Sequence, residues 1–581
     1  MIKTLAKSIR EYKPSSIGSA VFMVGEVLME VMVTFLMSKM IDNGFSSENL
    51  SYVLRIGGIM LIMAVIGLIC GLLSGRFAAV ASAGLARNLR KDIFYRIQDF
   101  SFENIDKFST SSLVTRMTTD VMNVQLAFMM LIRLAIRSPL MLIFSFTMAF
   151  IMGGKMALIF LVVIPILGIG LFAVIHKVGP LFKRVFRKYD ALNNSIQENV
   201  KGMRVVKSFV REAYEKEKFH HAAEEVCQDF TRAEKILAIN SPLMQFCLYV
   251  VMIFVLSFGS YTIITSGGLD LDVGQFSALL VYSFQILNSL MMFSMVFVMV
   301  TMAAESAQRI VEVLKEDSTL TSPADPVEEV EDGSIDFDHV SFKYSLQAEK
   351  MALADIDLHI RSGETIGIIG GTGSSKSSLI QLISRLYDAT EGVVKVGGKD
   401  VREYDLEVLR NQVAVVLQKN ILFSGTIKEN LRWGNQNATD EELKEACRLA
   451  QADEFIMQFP DQYDTHIEQG GSNVSGGQKQ RLCIARALLK KPKILILDDS
   501  TSAVDTRTDA QIRKALREYI PETTKIIIAQ RISSVQDADR ILVMDGGTIC
   551  NIGTHEELLK TSEIYREVYT SQNKGGDSDE K

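Results

Sequence analysis

The sequence predicts a membrane domain built only of helices, followed by a soluble α/β domain. Nearly all of its long apolar runs lie before about residue 305, and each is long enough to cross a bilayer, which takes about 20 residues. The rest of the 581-residue chain alternates apolar and polar residues as soluble domains do, and one strand-like run there leads into a glycine-rich turn. The length of the chain also fits two or three domains rather than one.

The apolar half predicts six membrane-spanning helices, because runs of this length rarely occur six times in a soluble protein. We place the spans at about 16–41, 53–79, 128–152, 156–176, 239–265 and 276–304. Lys3, Lys7, Arg10 and Lys13 precede the first span. They predict a short amphipathic helix at the membrane interface rather than a cleaved signal peptide.

Basic residues predict the orientation of the spans. The two long connections, 80–125 and 176–238, hold six and thirteen Lys or Arg residues, whereas the three connections on the other side hold only Lys155. By the positive-inside rule, both termini and the α/β domain lie in the cytoplasm. We expect a multi-pass protein of the plasma (inner) membrane whose helices continue well beyond the bilayer on the cytoplasmic side.

Four charged residues fall inside the predicted spans. Glu26 and Glu30 lie one helical turn apart in the first span, and Arg133 and Arg137 repeat that spacing in the third. A charge at the membrane centre is unfavourable by at least about 2.5 kcal/mol unless it is paired or hydrated. Two interpretations stay open. In the first, these residues pair with each other or the arginines lie near the cytoplasmic interface. In the second, Glu26 and Glu30 line a water-filled cavity that accepts substrate, with Arg133 and Arg137 as further candidates for its wall.

Composition limits the remaining possibilities. A net charge of −6 gives no indication of nucleic-acid binding, and the six cysteines show neither paired nor metal-ligand spacing. From Leu314 to Gly333 the sequence turns polar and acidic, and its last ten residues are polar throughout. We therefore predict a transmembrane domain at 1–310, a linker at 311–332, an α/β domain at 333–571 and a disordered tail at 572–581.

The glycine-rich turn has the pattern of a phosphate-binding loop. It follows the strand-like run 365–369, precedes an apolar helix from Leu379, and is rich in small residues that let backbone N–H groups hold phosphate oxygens. Its residues are Gly370, Gly371, Thr372, Gly373, Ser374, Ser375, Lys376, Ser377 and Ser378. Lys376 is placed to reach the β- and γ-phosphates, and the Ser377 hydroxyl to ligate Mg²⁺. The usual pattern has glycine where this chain has Ser375.

A second apolar run, 493–497, ends in two acids, Asp498 and Asp499. A buried strand that delivers a carboxylate, here Asp498, completes a phosphate and Mg²⁺ site. Between the two motifs lies the sequence Asn-Val-Ser-Gly-Gly-Gln at 473–478, with Arg481 following. With these motifs at this spacing, the chain resembles the ATP-binding cassette (ABC) exporter family over nearly its whole length.

The resemblance implies ATP and Mg²⁺ as cofactors and assigns further positions. Tyr344 resembles the aromatic residue that stacks on adenine, and Gln418 resembles the glutamine that contacts Mg²⁺ and senses the membrane domain. Asp505 ends the loop that crosses to the partner's nucleotide-binding domain. Segments 102–121 and 189–209 resemble the two intracellular connections whose short helices press on the nucleotide-binding domains.

Two positions depart from the family pattern. The family's catalytic base is a glutamate directly after the strand-end aspartate. This chain has Asp499 there, and its shorter side chain retracts the carboxylate by roughly 1.5 Å. The family's switch histidine is replaced by Gln530, which can hydrogen-bond a γ-phosphate but carries no charge. Together they predict a site that binds ATP and hydrolyses it poorly, with neutral drift in an active site as the alternative.

The signature residues Ser475, Gly477 and Gln478 are intact. In the family, two nucleotide-binding domains stack head to tail, so the signature of one chain serves the ATP of the other. An intact signature beside a weak site predicts a heterodimer with a second ABC half-transporter, because a homodimer would carry two weak sites.

We therefore expect an exporter subunit that moves hydrophobic or amphipathic compounds, drug-like or lipid, out of the cytoplasm or the inner leaflet. Its partners would be the second half-transporter, membrane lipid and the small-molecule substrate. Other classes stay open: an ATP-gated channel or regulator, a lipid flippase, or an importer, although importers usually carry their membrane domain on a separate chain.

Overall fold

The computed structural model describes residues 1–45, 48–266, 271–345, 348–500 and 502–574. These residues form two compact units. The first comprises Met1–Asp99 and Phe108–Glu316, and the second comprises Phe100–Lys107 with the described residues from Asp317 on. The segment Phe100–Lys107, which the sequence places in the transmembrane domain, therefore belongs to the second unit.

The first unit is helical throughout its long elements. With α4, which begins in the second unit, the helices up to residue 315 are α1 Ile2–Lys7, α2 Lys13–Met40, α3 Leu50–Gln98, α4 Phe102–Phe108, α5 Thr110–Thr115, α6 Val121–Gly153, α7 Leu158–Lys201, α8 Met203–Ser208, α9 Glu212–Leu237, α10 Asn240–Ser266 and α11 Val273–Lys315. Among the described residues, five continuous helical stretches are long and apolar enough to cross a membrane. One of them, Thr110–Lys201, contains both α6 and α7, which a 3-10 turn at Gly154–Ala157 separates.

Each predicted span falls inside one long helix, or runs past its end by at most two residues. The six helices are α2, α3, α6, α7, α10 and α11. Helix α3 has 49 residues and α7 has 44, whereas about 20 are enough to cross a bilayer. The expected extensions beyond the spans are therefore present as continuous helix.

Helices α2 and α3 show two kinds of apolar surface. Met23 and Val27 of α2 are fully buried, whereas Leu61, Leu68 and Leu72 of α3 are exposed. Lipid tails are as apolar as leucine, so a bilayer covers such side chains without loss. This exposure fits a helix that borders lipid.

The second unit combines strands and helices. Its strands are β1 Ile335–Phe342, β2 Leu353–Ile360, β3 Thr365–Gly370, β4 Glu391–Val396, β5 Lys399–Asp400, β6 Val413–Val416, β7 Gly425–Thr426, β8 His466–Ile467, β9 Ile494–Asp498, β10 Thr524–Ile528, β11 Arg540–Asp545 and β12 Thr548–Gly553. Its helices after α4 are α12 Lys376–Ile383, α13 Leu406–Gln412, α14 Ile427–Arg432, α15 Asp440–Leu449, α16 Asp453–Met457, α17 Gly476–Leu488, α18 Thr506–Tyr519, α19 His555–Thr561 and α20 Glu563–Lys574.

A six-stranded sheet positions the motifs of this unit. Its strand order is β12-β11-β3-β10-β9-β6, and a separate four-stranded sheet has the order β2-β1-β4-β5. Strand β10 runs parallel to both neighbours, with Ile528 opposite Ile368 of β3 and Asp498 of β9. Parallel strands bring their carboxyl ends to one edge, so the segments that follow β3, β9 and β10 meet there.

The end of α11 differs from the predicted linker. The helix continues through Lys315, so the first five residues of 311–332 are helical. Ile310, Val311 and Val313 are buried there. Packing of this apolar face sustains the helix past the point where the sequence composition turns polar.

The C-terminal helix also extends further than expected. Residues 572–574, the start of the predicted disordered tail 572–581, belong to α20, and 575–581 lie outside the described residues. Tyr565 of α20 is fully buried against the second unit. This anchor explains why the helix forms in a polar segment.

Candidate functional site

The glycine-rich loop between β3 and α12 is an open cradle. A Cβ added to Gly371 or Gly373 would meet no atom within 4 Å, whereas at Gly370 it would lie 2.2 Å from the carbonyl oxygen of Met544. Gly373 has φ +85° and Ser375 has φ +68°. Ser375 thus occupies the left-handed region that a glycine enters without strain, which explains why glycine is usual at this position.

The first turn of α12 faces this cradle without a side-chain cap. Ser375 is its N-cap residue and makes no capping hydrogen bond with its side chain. Uncapped N–H groups at a helix N-terminus are well placed to bind phosphate oxygens. Thr372 is exposed in the loop, and Ser374 is buried. The backbone of the loop therefore fits the triphosphate expected from the sequence.

The ammonium group of Lys376 lies over the loop. Its Nζ donates to the carbonyl oxygens of Gly370 at 2.9 Å and Gly371 at 2.8 Å, and to Oγ of Ser374 at 3.1 Å. Burial holds the pKa of Lys376 below its usual value, although two nearby carboxylates oppose this shift. A bound anion would favour the charged form of the lysine.

Ser377 and Asp498 supply oxygen donors next to the lysine. Ser377 Oγ donates to Asp498 Oδ2 at 3.0 Å, and burial raises the pKa of Asp498. Gln418 follows β6 and has an exposed side chain. Among the described residues, no group of three or more His, Cys, Asp or Glu could hold a metal on its own. The donors present fit Mg²⁺, which typically takes one or two carboxylates and completes its shell with phosphates and water.

Asp499, directly after β9, is held by two amides. Its Oδ2 accepts a hydrogen bond from Gln530 Nε2 at 2.8 Å and another from Gln418 Nε2 at 3.4 Å. Its backbone N–H donates to the carbonyl oxygen of Ile528 at 3.0 Å, and its φ is +48°. The two positions that depart from the family pattern therefore contact each other directly.

Tyr344 lies beside the helix α12 that follows the loop. Its hydroxyl is 2.8 Å from Ser378 Oγ and donates to Gln381 Oε1 at 3.0 Å. Its ring packs edge-on against Tyr387, with the centroids 5.2 Å apart, and the residue is 45% exposed. The exposed part of the ring is available for stacking on a base.

The signature begins helix α17. Ser475 Oγ accepts from the N–H of Gln478 at 3.3 Å, and Gln478 Oε1 accepts from the N–H of Ser475 at 2.9 Å, which together form a capping box. A Cβ added to Gly477 would lie 2.8 Å from the carbonyl oxygen of Ala503. The glycine is therefore required by the close approach of the loop after β9.

Gln480, which the sequence analysis does not single out, joins the signature helix to that loop. Its Nε2 donates to Ser502 Oγ at 3.2 Å, and its Oε1 accepts from the N–H of Ala503 at 3.0 Å. Ser502 Oγ in turn donates to the carbonyl oxygen of Asp499 at 2.9 Å. The position of Gln480 five residues after Ser475 is the only sequence signal for the role of Gln480.

Asp505 caps α18, and hydrogen bonds from Thr508 hold the pKa of Asp505 below its usual value.

Gln572 of α20 is a second residue that sequence reasoning misses. Its Nε2 donates to the carbonyl oxygen of Gln530 at 2.7 Å, and its Oε1 accepts from the N–H of Ile532 at 2.9 Å. The side chain thus holds the backbone on both sides of Arg531. Forty residues separate the partners, and no local pattern in the sequence indicates the contact.

The first predicted connection contributes α4 to the second unit. Asn104 Nδ2 donates to the carbonyl oxygen of Asp317 at 3.2 Å, and Tyr387 donates to Asp106 Oδ2 at 2.8 Å. Tyr387 also contacts the ring of Tyr344, so α4 is linked to the predicted adenine residue through one side chain. The second connection, 189–209, forms the end of α7 and helix α8 in the first unit.

The four charged residues of the predicted spans meet in the first unit. Arg137 Nη2 lies 2.6 Å from Glu30 Oε2, and Arg137 Nη1 pairs with Glu26 Oε1. Glu30, Arg133 and Arg137 line a cavity of about 370 Å³, with residues of α11 on its other side. The structure therefore shows the ion pair of the first interpretation. It also shows a cavity next to Glu30, but Glu26 is not among its lining residues, and binding of substrate there stays a prediction.

Comparisons with known proteins agree with this architecture. Residues 17–290 match the family described as ABC transporter transmembrane region, and residues 353–502 match the family described as ABC transporter. An uncharacterized ABC transporter ATP-binding protein of Bacillus subtilis, YfiB, is 37% identical over 577 residues, 98% of each chain. An ATP-dependent lipid A-core flippase of Desulfotalea psychrophila is 32% identical over 584 residues, 98% of this chain and 99% of the other.

A solved structure shows the same fold. It is a bacterial Atm1-family ABC exporter with ATP bound, superposed with a TM-score of 0.82 at 23% identity over 96% of this chain and 98% of that chain. Sequence identity over nearly the whole chain and the order of the two matched regions establish a multi-pass membrane protein with an ATP-binding domain. The chain belongs to the ABC transporter family and has the fold of its exporters.

Proposed function

We propose that this chain is one subunit of a heterodimeric, ATP-driven exporter whose own ATP site hydrolyses poorly. The observation that carries the proposal is the hydrogen bonding of Asp499, whose Oδ2 accepts from Gln530 at 2.8 Å and from Gln418 at 3.4 Å. A general base must reach the attacking water and take its proton. Here a short carboxylate is instead engaged by two amides, and neither amide can take up a proton in its place.

The parts that bind nucleotide are retained in this site. Lys376 would neutralise the β- and γ-phosphates, and Tyr344 would stack on adenine. The Mg²⁺ ligands would be Ser377, Gln418 and Asp498. When bound, Mg²⁺ neutralises phosphate charge and orients the transferred group. Gln530 would donate a hydrogen bond to the γ-phosphate. This chain would therefore hold the nucleotide but offer no free base to take the proton of the attacking water.

The signature of this chain would complete the working site of the partner. Among the hydrogen bonds of the described residues, none joins Ser475, Gly477 or Gln478 to the phosphate loop 370–378 of the same chain. The signature lies at the N-terminus of a 13-residue helix, where the helix dipole favours a phosphate. Asp505, in the adjoining loop, would lie at the same interface.

The proposed substrates are hydrophobic or amphipathic compounds, drug-like or lipid, moved out of the cytoplasm or the inner leaflet. The cavity in the first unit, with charged and apolar residues on its walls, supports amphipathic ligands. The relative named as a lipid A-core flippase supports lipid as one member of this class.

The proposed location is the plasma (inner) membrane, with both termini and the ATP-binding domain on its cytoplasmic side. The excess of Lys and Arg in 80–125 and 176–238 supports this orientation.

The test compares this chain alone with this chain bound to a second half-transporter. Both preparations are placed in lipid nanodiscs and assayed for ATP binding and ATP hydrolysis. We expect the isolated chain to bind ATP with little turnover, and turnover to appear in the pair and to rise with transported compounds. Fast hydrolysis by a homodimer of this chain would contradict the proposal, and absence of ATP binding would contradict the retained binding site.

A further inference from the structure

The two arginines of α6 have different surroundings, although they lie one turn apart. Arg137 is engaged on both sides of its guanidinium, by Glu26 and by Glu30. Each of these carboxylates therefore already has a cationic partner. A cationic ligand that approached either acid would compete with Arg137 for that carboxylate and would meet the charge of Arg133 in the same cavity.

Arg133 has no such partner. Among the described residues, no ion pair or hydrogen bond engages its guanidinium. A Cβ added to Gly75 of α3 would lie 3.8–4.0 Å from the guanidinium, so the group faces α3 at a position that carries no side chain. A guanidinium carries five N–H donors, and in a membrane domain unfilled donors of a charged group are unfavourable.

The opposite wall of the cavity supplies a second free polar group and apolar surface. Asn288 of α11 lines the cavity, and among the described residues its side-chain amide has no hydrogen-bond partner. The neighbouring Gln285 is already engaged, since its Oε1 accepts from Ser145 Oγ at 3.0 Å. Phe284 and Met292 line the same cavity and are exposed there.

The geometry points to a binding site for amphiphiles with an acidic head group. Arg133 and the amide of Asn288 would hold phosphate or carboxylate oxygens, and Phe284 and Met292 would contact the apolar tail. A guanidinium matches such planar or forked oxygen groups in two hydrogen bonds at once. The acids Glu26 and Glu30 share the single positive charge of Arg137, and Glu26 Oε2 keeps no hydrogen-bond partner among the described residues. The cation that remains free to meet a ligand in this cavity is therefore that of Arg133.

This inference rests on the proposed export function, since it names the substrate class of that exporter's cavity. An acidic head group can belong to a membrane lipid or to a soluble amphiphile. The shared chemistry is an anionic group on an apolar tail, and competition between the two sources separates them.

The experiment measures ligand binding to the assembled exporter in phosphatidylcholine nanodiscs without nucleotide. Three labelled probes share one dodecyl chain: dodecyl phosphate, dodecyltrimethylammonium and dodecyl maltoside, each corrected for uptake by empty nanodiscs. We expect dodecyl phosphate to bind at least about tenfold more tightly than the cation, the factor of one charge-assisted hydrogen bond. Arg133→Gln should remove about that factor for dodecyl phosphate alone, and Arg133→Lys should keep the preference for the anion.

Lys155→Gln is the matched control, because it removes an exposed cation in the turn between α6 and α7. Its probe affinities should not change. The inference is overturned if Arg133→Gln leaves dodecyl phosphate affinity within about twofold, a change smaller than one net hydrogen bond, or lowers all three affinities in parallel. A preference for the cation in the unmodified exporter overturns it without any variant.

Nanodiscs that contain phosphatidylglycerol identify the source of the ligand. If phosphatidylglycerol competes with dodecyl phosphate, the site binds anionic lipid. If phosphatidylglycerol does not compete, the site binds soluble anionic amphiphiles. Because no nucleotide is present, the head-group preference is measured independently of ATP-driven transport. The inferred preference can therefore fail while the proposed export function holds, and the reverse is also possible.

Discussion

Gln530 Nε2 donates a 2.8 Å hydrogen bond to Asp499 Oδ2, so the two residues that depart from the family pattern form one contact. They follow neighbouring parallel strands, β10 and β9, whose carboxyl ends meet at the same sheet edge. The contact gives the proposed weakness of this ATP site a physical cause. The side chain of Asp499 is short. Where the family has a histidine, this chain has the uncharged amide of Gln530, which hydrogen-bonds the carboxylate.

The two ATP sites of the proposed pair should respond differently to mutation. Ser475→Arg should lower ATPase of the pair by at least about 10²-fold, because groups that stabilise a transferring phosphoryl group typically contribute that much. Asp499→Asn keeps an acceptor for Gln530 and should change turnover by less than about threefold, since a residue that takes no proton provides no general-base rate gain. Steady-state hydrolysis measures both, and equal damage by the two changes would refute the assignment of the weak site.

Asp499→Glu combined with Gln530→His should partly repair the site. The longer carboxylate restores reach to the attacking water, and the imidazole frees it from the amide. A placed general base typically contributes about 10²–10⁴-fold, so single-turnover hydrolysis at this site should rise within that range. Gln530→His alone is the control and should give a smaller gain. An unchanged rate in the double variant would show that reach is not what limits the site.

Ser375 should tolerate glycine and reject a β-branched residue. At φ +68° an L-residue is disfavoured by roughly 1–2 kcal/mol relative to glycine, and a β-branched side chain is a clear outlier there. We expect Ser375→Gly to keep or raise ATP affinity, whereas Ser375→Val should lower it at least about tenfold, the factor for roughly 1.4 kcal/mol. Equilibrium binding of a labelled ATP analogue measures this, and equal affinities for the two variants would contradict the strain at this position.

Gln572→Ala should loosen the segment that carries Gln530. The change removes the acceptor of the Ile532 N–H and the donor to the Gln530 carbonyl oxygen. One net hydrogen bond is worth about 0.5–1.5 kcal/mol, so hydrogen exchange of the Ile532 amide should quicken by about two- to tenfold. Ser571→Ala, in the same turn of α20, is the control. If both variants exchange alike, α20 does not hold this segment.

The ion pair of the first unit should behave as a structural unit. Glu26→Gln with Glu30→Gln leaves Arg137 unpaired, and we expect the free energy of unfolding to fall by roughly 1–3 kcal/mol, less than for a fully buried pair because the acids stay partly exposed. Adding Arg137→Gln should recover much of this loss. Thermal unfolding of the three proteins measures it. In the triple variant, which has no unpaired Arg137 to repel cations, transport should fall equally for charged and neutral compounds. A selective loss of cationic substrates would show instead that the acids choose the substrate.

The sequence by itself determined the architecture and the location of the chemistry. The features that could be predicted are local patterns, recognised from composition or from residue types at short spacing. They are the six apolar runs, the loop 370–378 and the two acids at 498 and 499. The parallel strands could be expected to gather Gly370 and Asp498 at one edge, because that follows from strand direction alone. The ends of α11 and α20 escaped prediction because buried side chains extend those helices beyond the local composition.

Only the tertiary structure decided which side chains meet. Arg133 and Arg137 look equivalent in the sequence, and both line one cavity, yet two acids hold Arg137 whereas no ion pair among the described residues holds Arg133. Their difference depends on how α6 is rotated against α2, which no periodicity within either helix specifies. The contacts of Asp499 with Gln530 and of Gln572 with Ile532 likewise join residues more than thirty positions apart. Such contacts arise from packing between elements, because a side chain's partner is set by the position of its neighbours in space.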